Sequence, residues 1–218
     1  MITVIDYGAG NLKSVEKALN FLGAENEITS DPEKIKNAEK LILPGVGSFG
    51  AAMENLKSSG IDAAIKKAVS AVPILGICLG LQLMFEYSEE SNCGGLGILK
   101  GKVGKIPDFG LKIPHVGWNS LNVKGGKIFD GIQSGTYVYF VHSYCISECD
   151  EKIVTATVDY GCEIPIAVQS GNVHAVQFHP ERSTEYDSRF FELFKHFVNA
   201  CDSAKKRFNI NCAARLNK

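Results

Sequence analysis

The chain has 218 residues, of which 45% are hydrophobic and 22% are charged, and its formal net charge is -1. This length and hydrophobic content predict one large folded domain with a substantial core, and they exclude a disordered chain. The small net charge gives no electrostatic indication of nucleic acid or a membrane surface as a partner.

The seven cysteines are an odd number without metal-type spacing, which indicates a reducing compartment such as the cytoplasm. Cys145 and Cys149 lie near His142 in the sequence, but no second pair of ligands follows them, so we expect no metal site. Met1 leads directly into a strand-like run, and we therefore expect no signal peptide. No apolar run is long enough to span a bilayer.

The first half of the chain alternates short apolar runs with helical patterns. Strands are predicted at residues 2–7, 25–28, 40–43 and 72–78, and helices at 12–22, from 32, and at 53–56, 61–69 and 79–85. Asn11 is predicted to cap the first helix and Gly23 to close it, while Pro32 suits the first position of the second helix. The alternation predicts an α/β fold, in which helices cover both faces of an open, mostly parallel sheet.

Three of the predicted strands end in turns that carry glycine, at Gly8, Gly45 and Cys78. Sites in parallel sheets lie outside the carboxyl ends of the strands, so we expect these turns to converge on one edge. The first turn also invites a nucleotide-binding interpretation. That interpretation is weak, because Lys13 stands at the last glycine position and Asp6 would repel a phosphate.

The second half of the chain consists mainly of short strand candidates. They lie at residues 101–105, 121–123, 137–141, 153–157 and 166–169, with a loop at 94–97. Gly171 and Asn172 separate the last strand from the run 173–178, which predicts a hairpin. An aromatic-rich helix is predicted at 187–201, and the residues beyond it are basic and weakly patterned. We therefore predict one domain over residues 1–201, with antiparallel strands added to the parallel sheet, and a basic tail over 202–218.

Cys78 is the centre of the segment Gly76-Ile77-Cys78-Leu79-Gly80, between a short apolar strand and a predicted helix. This is the nucleophile-elbow pattern with cysteine in place of serine, and its glycines allow the strand and the helix to meet at a sharp bend. Free N–H groups at the start of the helix favour a thiolate and a developing oxyanion. The alternative interpretation is a buried cysteine that acts as a small hydrophobic residue, and the segment alone does not distinguish the two.

A cysteine nucleophile needs a base, and the base needs an acceptor that orients it. His179 follows a predicted strand, and Glu181 comes two residues later, where its carboxylate can hold the tautomer of the ring. The alternative is a surface histidine beside an acid. His115 and His142 are expected in loops that could line a site. His174 is expected on the face of a strand, and His196 is expected as a surface or packing residue of the last helix.

Taken together, residues 76–82 and 179–181 resemble the triad pattern of the class-I glutamine amidotransferases. Four further motifs resemble the glutaminase subunits of imidazole glycerol phosphate synthases, at residues 6–12, 44–50, 114–119 and 139–144. The resemblance extends from about residue 2 to about residue 198. It implies a flavodoxin-like α/β sheet with added antiparallel strands.

The resemblance implies that Cys78 attacks the side-chain amide of glutamine, that His179 moves the proton, and that Glu181 orients His179. No cofactor is implied. The implied oxyanion donors are the N–H of Leu79 and one from the loop of Gly45, Val46 and Gly47, and the implied substrate-binding residues are Gln82, His142, Ser143 and Tyr144.

The resemblance also implies a heterodimer with a cyclase subunit of (β/α)-barrel fold. That subunit receives the ammonia and makes imidazole glycerol phosphate and an aminoimidazole carboxamide ribotide in histidine biosynthesis. Trp118 is expected on a loop and, with Asn11 and Arg182, at the interface with the barrel. Arg182 stands where the family usually has lysine, which keeps the charge and changes the bonding geometry.

The sequence leaves two other functions open. A related glutaminase that feeds ammonia to a different synthase would carry the same site residues. A catalytically silent binding module of the same fold would need a broken triad, whereas all three triad residues are present. The chain lacks a Walker-type loop and an arginine cluster, which suits a subunit that does not bind the phosphorylated substrate of the cyclase.

Overall fold

The computed structural model describes residues 1–182 and 196–197 of the chain. The helices in this part are α1 (Leu12–Phe21), α2 (Pro32–Lys36), α3 (Phe49–Ser58), α4 (Ile61–Ala68) and α5 (Leu79–Leu83). The strands are β1 (Ile2–Ile5), β2 (Asn26–Thr29), β3 (Leu41–Gly45), β4 (Ile74–Cys78), β5 (Phe85–Ser88), β6 (Cys93–Gly94), β7 (Leu99–Lys105), β8 (His115–Ser120), β9 (Asn122–Val123), β10 (Tyr137–His142), β11 (Tyr144–Glu148), β12 (Val154–Asp159), β13 (Glu163–Ser170) and β14 (Val173–Val176). Short 3-10 turns lie at Lys127–Phe129, Glu151–Ile153 and Pro180–Arg182.

An eight-stranded sheet runs through the molecule in the order β2-β1-β3-β4-β14-β13-β12-β9. Its first five strands are parallel, and the remaining three continue the sheet in antiparallel pairing. A two-stranded sheet (β10-β8) and a four-stranded sheet (β11-β7-β5-β6) are added to it. The predicted α/β fold with a mostly parallel sheet and added antiparallel strands is confirmed.

The central strands carry side chains into two apolar clusters, one on each face of the sheet. Val4 and Ile42 belong to the cluster that α1 covers, whereas Ile5 and Leu43 belong to the one that α3 and α4 cover. Neighbouring residues enter opposite clusters because successive side chains of a strand point to opposite faces. Burial on both faces explains why β3 and β4 are fully buried and consist of apolar runs rather than alternating patterns. β14 is also fully buried, although it contains His174.

The first helix begins where the sequence predicted and ends one residue before the predicted end, but the predicted side-chain cap at its start does not form. Asn11 occupies the N-cap position of α1, but its side chain makes no capping hydrogen bond. Its carbonyl oxygen instead accepts from the backbone N–H groups of Ser14 (3.1 Å) and Val15 (3.2 Å). Gly23 follows the helix with φ at +66°, the left-handed conformation that closes helices and favours glycine.

The loop predicted around Trp118 is wrong, because this residue lies within strand β8. His115 begins the same strand and His142 ends β10, so neither is in a loop. The two strands pair in antiparallel register, with Trp118 opposite Tyr139. Polar His115 occupies a buried position of β8 and Val116 an exposed one, which hides the alternation that usually identifies a strand.

Other boundaries also differ from the prediction. The helix after Cys78 ends at Leu83, and Phe85 begins β5, because it pairs with Leu99 in the four-stranded sheet. Gly94, expected in a loop, pairs within β6. The helix predicted at 187–201 lies outside the described residues, apart from helical His196 and Phe197, and so does the tail 202–218. None of the described helices has the length and apolar character needed to cross a membrane.

Candidate active site

The carboxyl ends of β1, β3, β4 and β14 meet at one edge of the sheet, as the sequence predicted. A cavity of about 420 Å³ opens at this edge. Its lining includes nine of the residues singled out from the sequence: Val46, Gly47, Cys78, Leu79, Gln82, His142, Ser143, Tyr144 and His179. Two others lie next to it, because Gly45 pairs with Cys78 in the sheet register and Glu181 is hydrogen-bonded to His179.

Cys78 sits on a strained bend between β4 and α5. Its φ of +55° is rare for a residue with a side chain, and Asn92 is the one other described non-glycine residue with positive φ. The bend depends on two glycines, because a Cβ atom on Gly80 would lie 1.8 Å from the carbonyl oxygen of Leu43. A Cβ atom on Gly76 would lie 2.9 Å from the carbonyl oxygen of Gly80. The close approach of strand and helix that the elbow pattern predicted is therefore confirmed.

His179 and Glu181 form a buried pair beside the cysteine. Nδ1 of His179 lies 2.8 Å from Oε1 of Glu181, and the side chains are only 3% and 2% exposed. Because a carboxylate only accepts, the ring donates its Nδ1–H, and this fixes the tautomer of neutral His179 with its lone pair on Nε2. The orienting role of Glu181 therefore has the geometry that the sequence suggested.

The electrostatic environment favours the protonated ring of His179 once Cys78 is a thiolate. Burial opposes a charge on the ring, but interactions with Cys78 and Glu181 outweigh it and raise the pKa of His179 to about 10. Nε2 has no hydrogen bond of good geometry to any described residue, so its interaction with the sulphur is electrostatic in this structure. Such a contact commonly tightens only when substrate is bound.

His115 and His142 differ from His179, because burial lowers the pKa of each to about 4. Nδ1 of His142 lies 2.9 Å from the carbonyl oxygen of Tyr144, which can only accept, so His142 carries its proton on Nδ1. Nε2 of His142 then accepts from Nδ1 of His115 at 3.2 Å. Both rings are neutral at pH 7, so His179 is the histidine suited to exchange a proton with Cys78.

The sequence singled out Gln82 but not Gln177, which is 1% exposed. Nε2 of Gln177 donates to Sγ of Cys78 at 3.6 Å, while its Oε1 accepts from Nε2 of Gln82 at 2.9 Å. A signal was present, because Gln177 lies at the end of the predicted strand and precedes His179 by two residues, at the same edge of the sheet. Nε2 of Gln82 also donates to the carbonyl oxygen of Tyr144 at 3.1 Å, so both of its N–H groups have protein acceptors.

Glu90 is a second residue that the sequence did not single out. It lines the cavity, and its Oε2 accepts from the backbone N–H of Phe49 at 2.9 Å. Glu89 stands beside it and accepts from the N–H of Lys105 instead. Nothing in two adjacent glutamates indicates which one faces the cavity, so only the structure distinguishes them.

No group of histidine, cysteine or acidic side chains in the described ranges could hold a metal ion.

The turn after β3 provides space beside the cysteine. The hydroxyl of Tyr7 fills the position a side chain at Gly45 would take, since a Cβ atom there would lie 2.6 Å from the hydroxyl oxygen. Tyr7 is buried, and this burial, with the charge of Cys78, raises the pKa of its phenol. Gly47 has φ at +99° and no atom within 4 Å of a Cβ position, so the turn has room to change conformation.

An exposed apolar surface adjoins the mouth of the cavity. It lies on one side of the β8–β10 pair and consists of the exposed residues Val116, Trp118, Tyr137 and Val141 with half-buried Tyr139, which we call the docking face. Trp118 is 48% exposed and contacts Tyr139 edge to face at 5.8 Å between ring centroids. The guanidinium of Arg182 lies 5.0 Å from the ring centroid of Tyr139.

Asn11 also lies near this mouth, because it immediately precedes α1, which contacts the turn Pro180–Arg182. The three residues expected at a partner interface are thus on the same side of the molecule as the cavity. Val141 belongs to both the docking face and the cavity lining, so the two surfaces are continuous.

Comparison with known proteins agrees with this geometry. The sequence profile of the family Glutamine amidotransferase class-I matches residues 3–198. The imidazole glycerol phosphate synthase subunit HisH of Moorella thermoacetica is 50% identical over 206 residues, which cover 91% of this chain and 98% of that protein. The protein of the same name from Bacillus cereus strain G9842 is 44% identical, with 94% of this chain and 99% of that protein covered.

Solved structures share the fold at lower identity. A crystal structure of a glutamine amidotransferase has a TM-score of 0.74 at 22% identity, and the match covers 93% of this chain and 100% of that one. The structure of PurLQS from Thermotoga maritima has a TM-score of 0.71 at 24% identity and covers 91% of this chain and 97% of that one. With the family profile spanning nearly the whole chain, these findings lead to one conclusion: the chain belongs to the class-I glutamine amidotransferase family.

Proposed function

We propose that the chain is the glutaminase subunit of an imidazole glycerol phosphate synthase and hydrolyses glutamine to glutamate and ammonia. The observation that carries the proposal is the placement of Cys78, on a strained bend beside the buried His179–Glu181 pair, at a cavity large enough for an amino acid. The names of relatives that are 50% and 44% identical support this choice of synthase.

The reaction begins when the proton of the Cys78 thiol passes to Nε2 of His179. The thiolate attacks the carbonyl carbon of the glutamine side-chain amide, forming the S–C bond and a tetrahedral oxyanion. The oxyanion collapses, the C–N bond breaks, and His179 returns its proton to the departing ammonia. Water, deprotonated by His179, then attacks the thioester, releasing glutamate and restoring the thiol. Glu181 keeps the ring oriented throughout.

The hydrogen bonds of Gln82 limit how it can bind the substrate. Both of its N–H groups have protein acceptors, so its carbonyl oxygen is what it can offer to the cavity. An acceptor suits the NH₂ of the glutamine side chain and does not suit a carboxylate. Glu90, on the cavity wall, supplies a negative charge for the α-ammonium group, and Ser143 supplies a hydroxyl donor for the α-carboxylate.

The oxyanion is held by the backbone N–H of Leu79 and by one N–H from the segment Gly45–Gly47. Gly47 is unhindered, so a peptide of this segment can rotate to aim its N–H at the developing charge. An oxyanion donor lowers the activation barrier by about 3 kcal/mol, so rotation of this N–H into and out of place would gate hydrolysis.

The partner is the (β/α)-barrel cyclase, which docks over the mouth of the cavity. An exposed tryptophan in an apolar patch, with a cation over the neighbouring tyrosine, is typical of an interface anchor. Docking on this face, with contacts at Asn11, Trp118 and Arg182, covers the cavity and lets ammonia pass to the barrel without entering water.

The described cysteines are all free thiols, which supports a reducing compartment such as the cytoplasm.

Reconstitution with the cyclase tests this function. The chain alone is expected to hydrolyse glutamine slowly, and addition of the cyclase with its nucleotide ligand is expected to accelerate hydrolysis about a hundredfold or more. Glutamine should then support formation of imidazole glycerol phosphate. Glutamate release at full speed by the isolated chain, unchanged by the cyclase and its ligand, would contradict the proposed partner and gate.

A further inference from the structure

We propose that Gln177 is a positioning residue for the nucleophile, because its side-chain amide holds the sulphur of Cys78 and connects it to Gln82 in the cavity wall. The proposal rests on the proposed glutaminase function and adds a residue to the same site. Gln177 itself is outside the cavity lining and 1% exposed, so it acts on the reaction through Cys78.

The orientation of the Gln177 amide follows from groups whose roles are unambiguous. The carbonyl oxygen of Tyr144 can only accept, so the atom of Gln82 that lies 3.1 Å from it must be the nitrogen. That nitrogen also lies 2.9 Å from one end of the Gln177 amide, which must therefore be the oxygen. The other end of the amide, 3.6 Å from Sγ of Cys78, is then the N–H donor.

The opposite orientation would be costly on both sides of Gln177. It would place the carbonyl oxygen of Gln177 against the sulphur and its NH₂ against the NH₂ of Gln82. Two buried donors would then face each other, and leaving such groups unpaired carries a large penalty. The backbone of β11, through the carbonyl of Tyr144, thereby fixes which end of Gln177 the sulphur meets.

A donor at this position favours the charged form of the nucleophile. Gln177 and His179 lie two residues apart just after β14, and both interact with Cys78. When the thiol proton moves to His179, the contact from Gln177 becomes a hydrogen bond to an anion, which is stronger than one to a neutral thiol. We infer that Gln177 keeps the sulphur aimed and stabilises the thiolate without exchanging a proton.

The alkylation of Cys78 by iodoacetamide tests this role, because the reagent reacts with the thiolate and needs no glutamine. The rate is measured on the full chain between pH 5 and 10 by mass spectrometry of the Cys78 peptide. Gln177→Met keeps a similar length and removes the donor. The titratable groups that face Cys78 or line its cavity are Tyr7, Glu90, His142, Tyr144 and His179, with Glu181 behind His179, and all of them are unchanged in this variant.

We expect the midpoint of the alkylation profile of Gln177→Met to move upward by about one pH unit, with a similar rate at the alkaline plateau. Alkylation at neutral pH should therefore be about tenfold slower. Gln177→Glu, which keeps the acceptor for Gln82 but places a carboxylate near the sulphur, should move the midpoint further. The matched control is Gln169→Met on β13, whose amide accepts from the N–H of Lys127 and lies outside the cavity lining.

A role confined to packing would lower the melting temperature or the plateau rate and would leave the midpoint in place. Coincident midpoints for the wild type, Gln177→Met and Gln177→Glu, in proteins that melt normally, would overturn the proposal. The alkylation result does not depend on whether the proposed glutaminase function is correct. A chain that hydrolyses no glutamine can still show the shift, and an active glutaminase can still lack it.

Discussion

At the scale of single residues, the surroundings of each histidine decide its chemistry. His115, His142 and His174 are buried with no carboxylate partner among the described residues, and burial lowers the pKa of each to about 4. His179 is equally buried, but the Glu181 carboxylate and the Cys78 sulphur raise its pKa to about 10. One imidazolium is thus stabilised next to the nucleophile, while the rings of His115, His142 and His174 are neutral at pH 7.

Removal of the base should nearly abolish hydrolysis. We expect His179→Ala to lower glutaminase turnover about a thousandfold or more, close to the loss in a Cys78 variant, because members of a triad act as a unit. The measurement is glutamate release in the complex with the cyclase. His142→Ala is the comparison variant, because His142 is the other described histidine that lines the cavity. Wild-type turnover in His179→Ala would contradict the assignment of His179 and would indicate His142 as the base.

Replacement of the orienting carboxylate should change the pH profile. Glu181→Gln keeps an acceptor for Nδ1–H but removes the negative charge that favours the imidazolium, so the pKa of His179 should fall from about 10. The imidazolium supplies the proton to ammonia, and the alkaline limb of kcat/KM should therefore move to lower pH. The loss of rate near neutral pH should be milder than in His179→Ala. An unmoved alkaline limb would show that His179 does not set it.

At the scale of elements, the bend between β4 and α5 depends on the absence of two side chains. Gly80 lies so close to β3 that even a methyl group would overlap the carbonyl oxygen of Leu43, 1.8 Å from the position of its Cβ atom. The positive φ of Cys78 is maintained by this packing rather than by local preference. The reactive sulphur is thus positioned by backbone contact between neighbouring elements.

A methyl group at this contact should damage the fold as well as the site. We expect Gly80→Ala to cost about 2–3 kcal/mol of folding free energy, which lowers the melting temperature by roughly 5–10 °C, and to slow alkylation of Cys78. Gly94→Ala is the matched control, because its Cβ atom would make an ordinary 3.6 Å contact. Equal melting temperatures for the two variants in a calorimetric scan would contradict the packing argument.

The elbow could be predicted from the sequence because its signal is local: a cysteine between two glycines at the junction of a strand and a helix pattern. The position of Trp118 could not, because β8 exists through pairing with β10, about twenty residues further along the chain. The hydrogen-bond acceptors of the Gln82 side chain could not be predicted either, since they lie 62 and 95 residues away in the sequence. Contacts between distant segments decide such features, and a single sequence does not display them.

At the scale of the whole molecule, the cavity and the docking face form one continuous surface. The cavity holds the reacting groups, and the apolar side of the β8–β10 pair extends from its mouth toward solvent. Ammonia that escapes into water becomes protonated and is no longer a nucleophile, so a partner must cover this mouth for transfer to succeed. The exposed position of Trp118 suits it to anchor that partner.

Truncation of this side chain should weaken the complex and spare the triad. We expect Trp118→Ala to raise the Kd for the cyclase about tenfold or more, while alkylation of Cys78 in the isolated chain stays unchanged. Phe21→Ala is the control, because Phe21 is 71% exposed at the end of α1 that points away from the cavity edge. A Kd that responds equally to both variants in titration calorimetry would place the cyclase elsewhere.

The proposed mechanism of glutamine hydrolysis depends most directly on Cys78 as the nucleophile. The decisive measurement compares wild type and Cys78→Ala in the complex with the cyclase, with glutamine and, separately, with ammonium salts as the nitrogen source. We expect Cys78→Ala to release no glutamate and to form no product from glutamine, while ammonia-dependent synthesis by the cyclase continues at the wild-type rate. Glutamate release by Cys78→Ala at a rate near that of the wild type would contradict this mechanism.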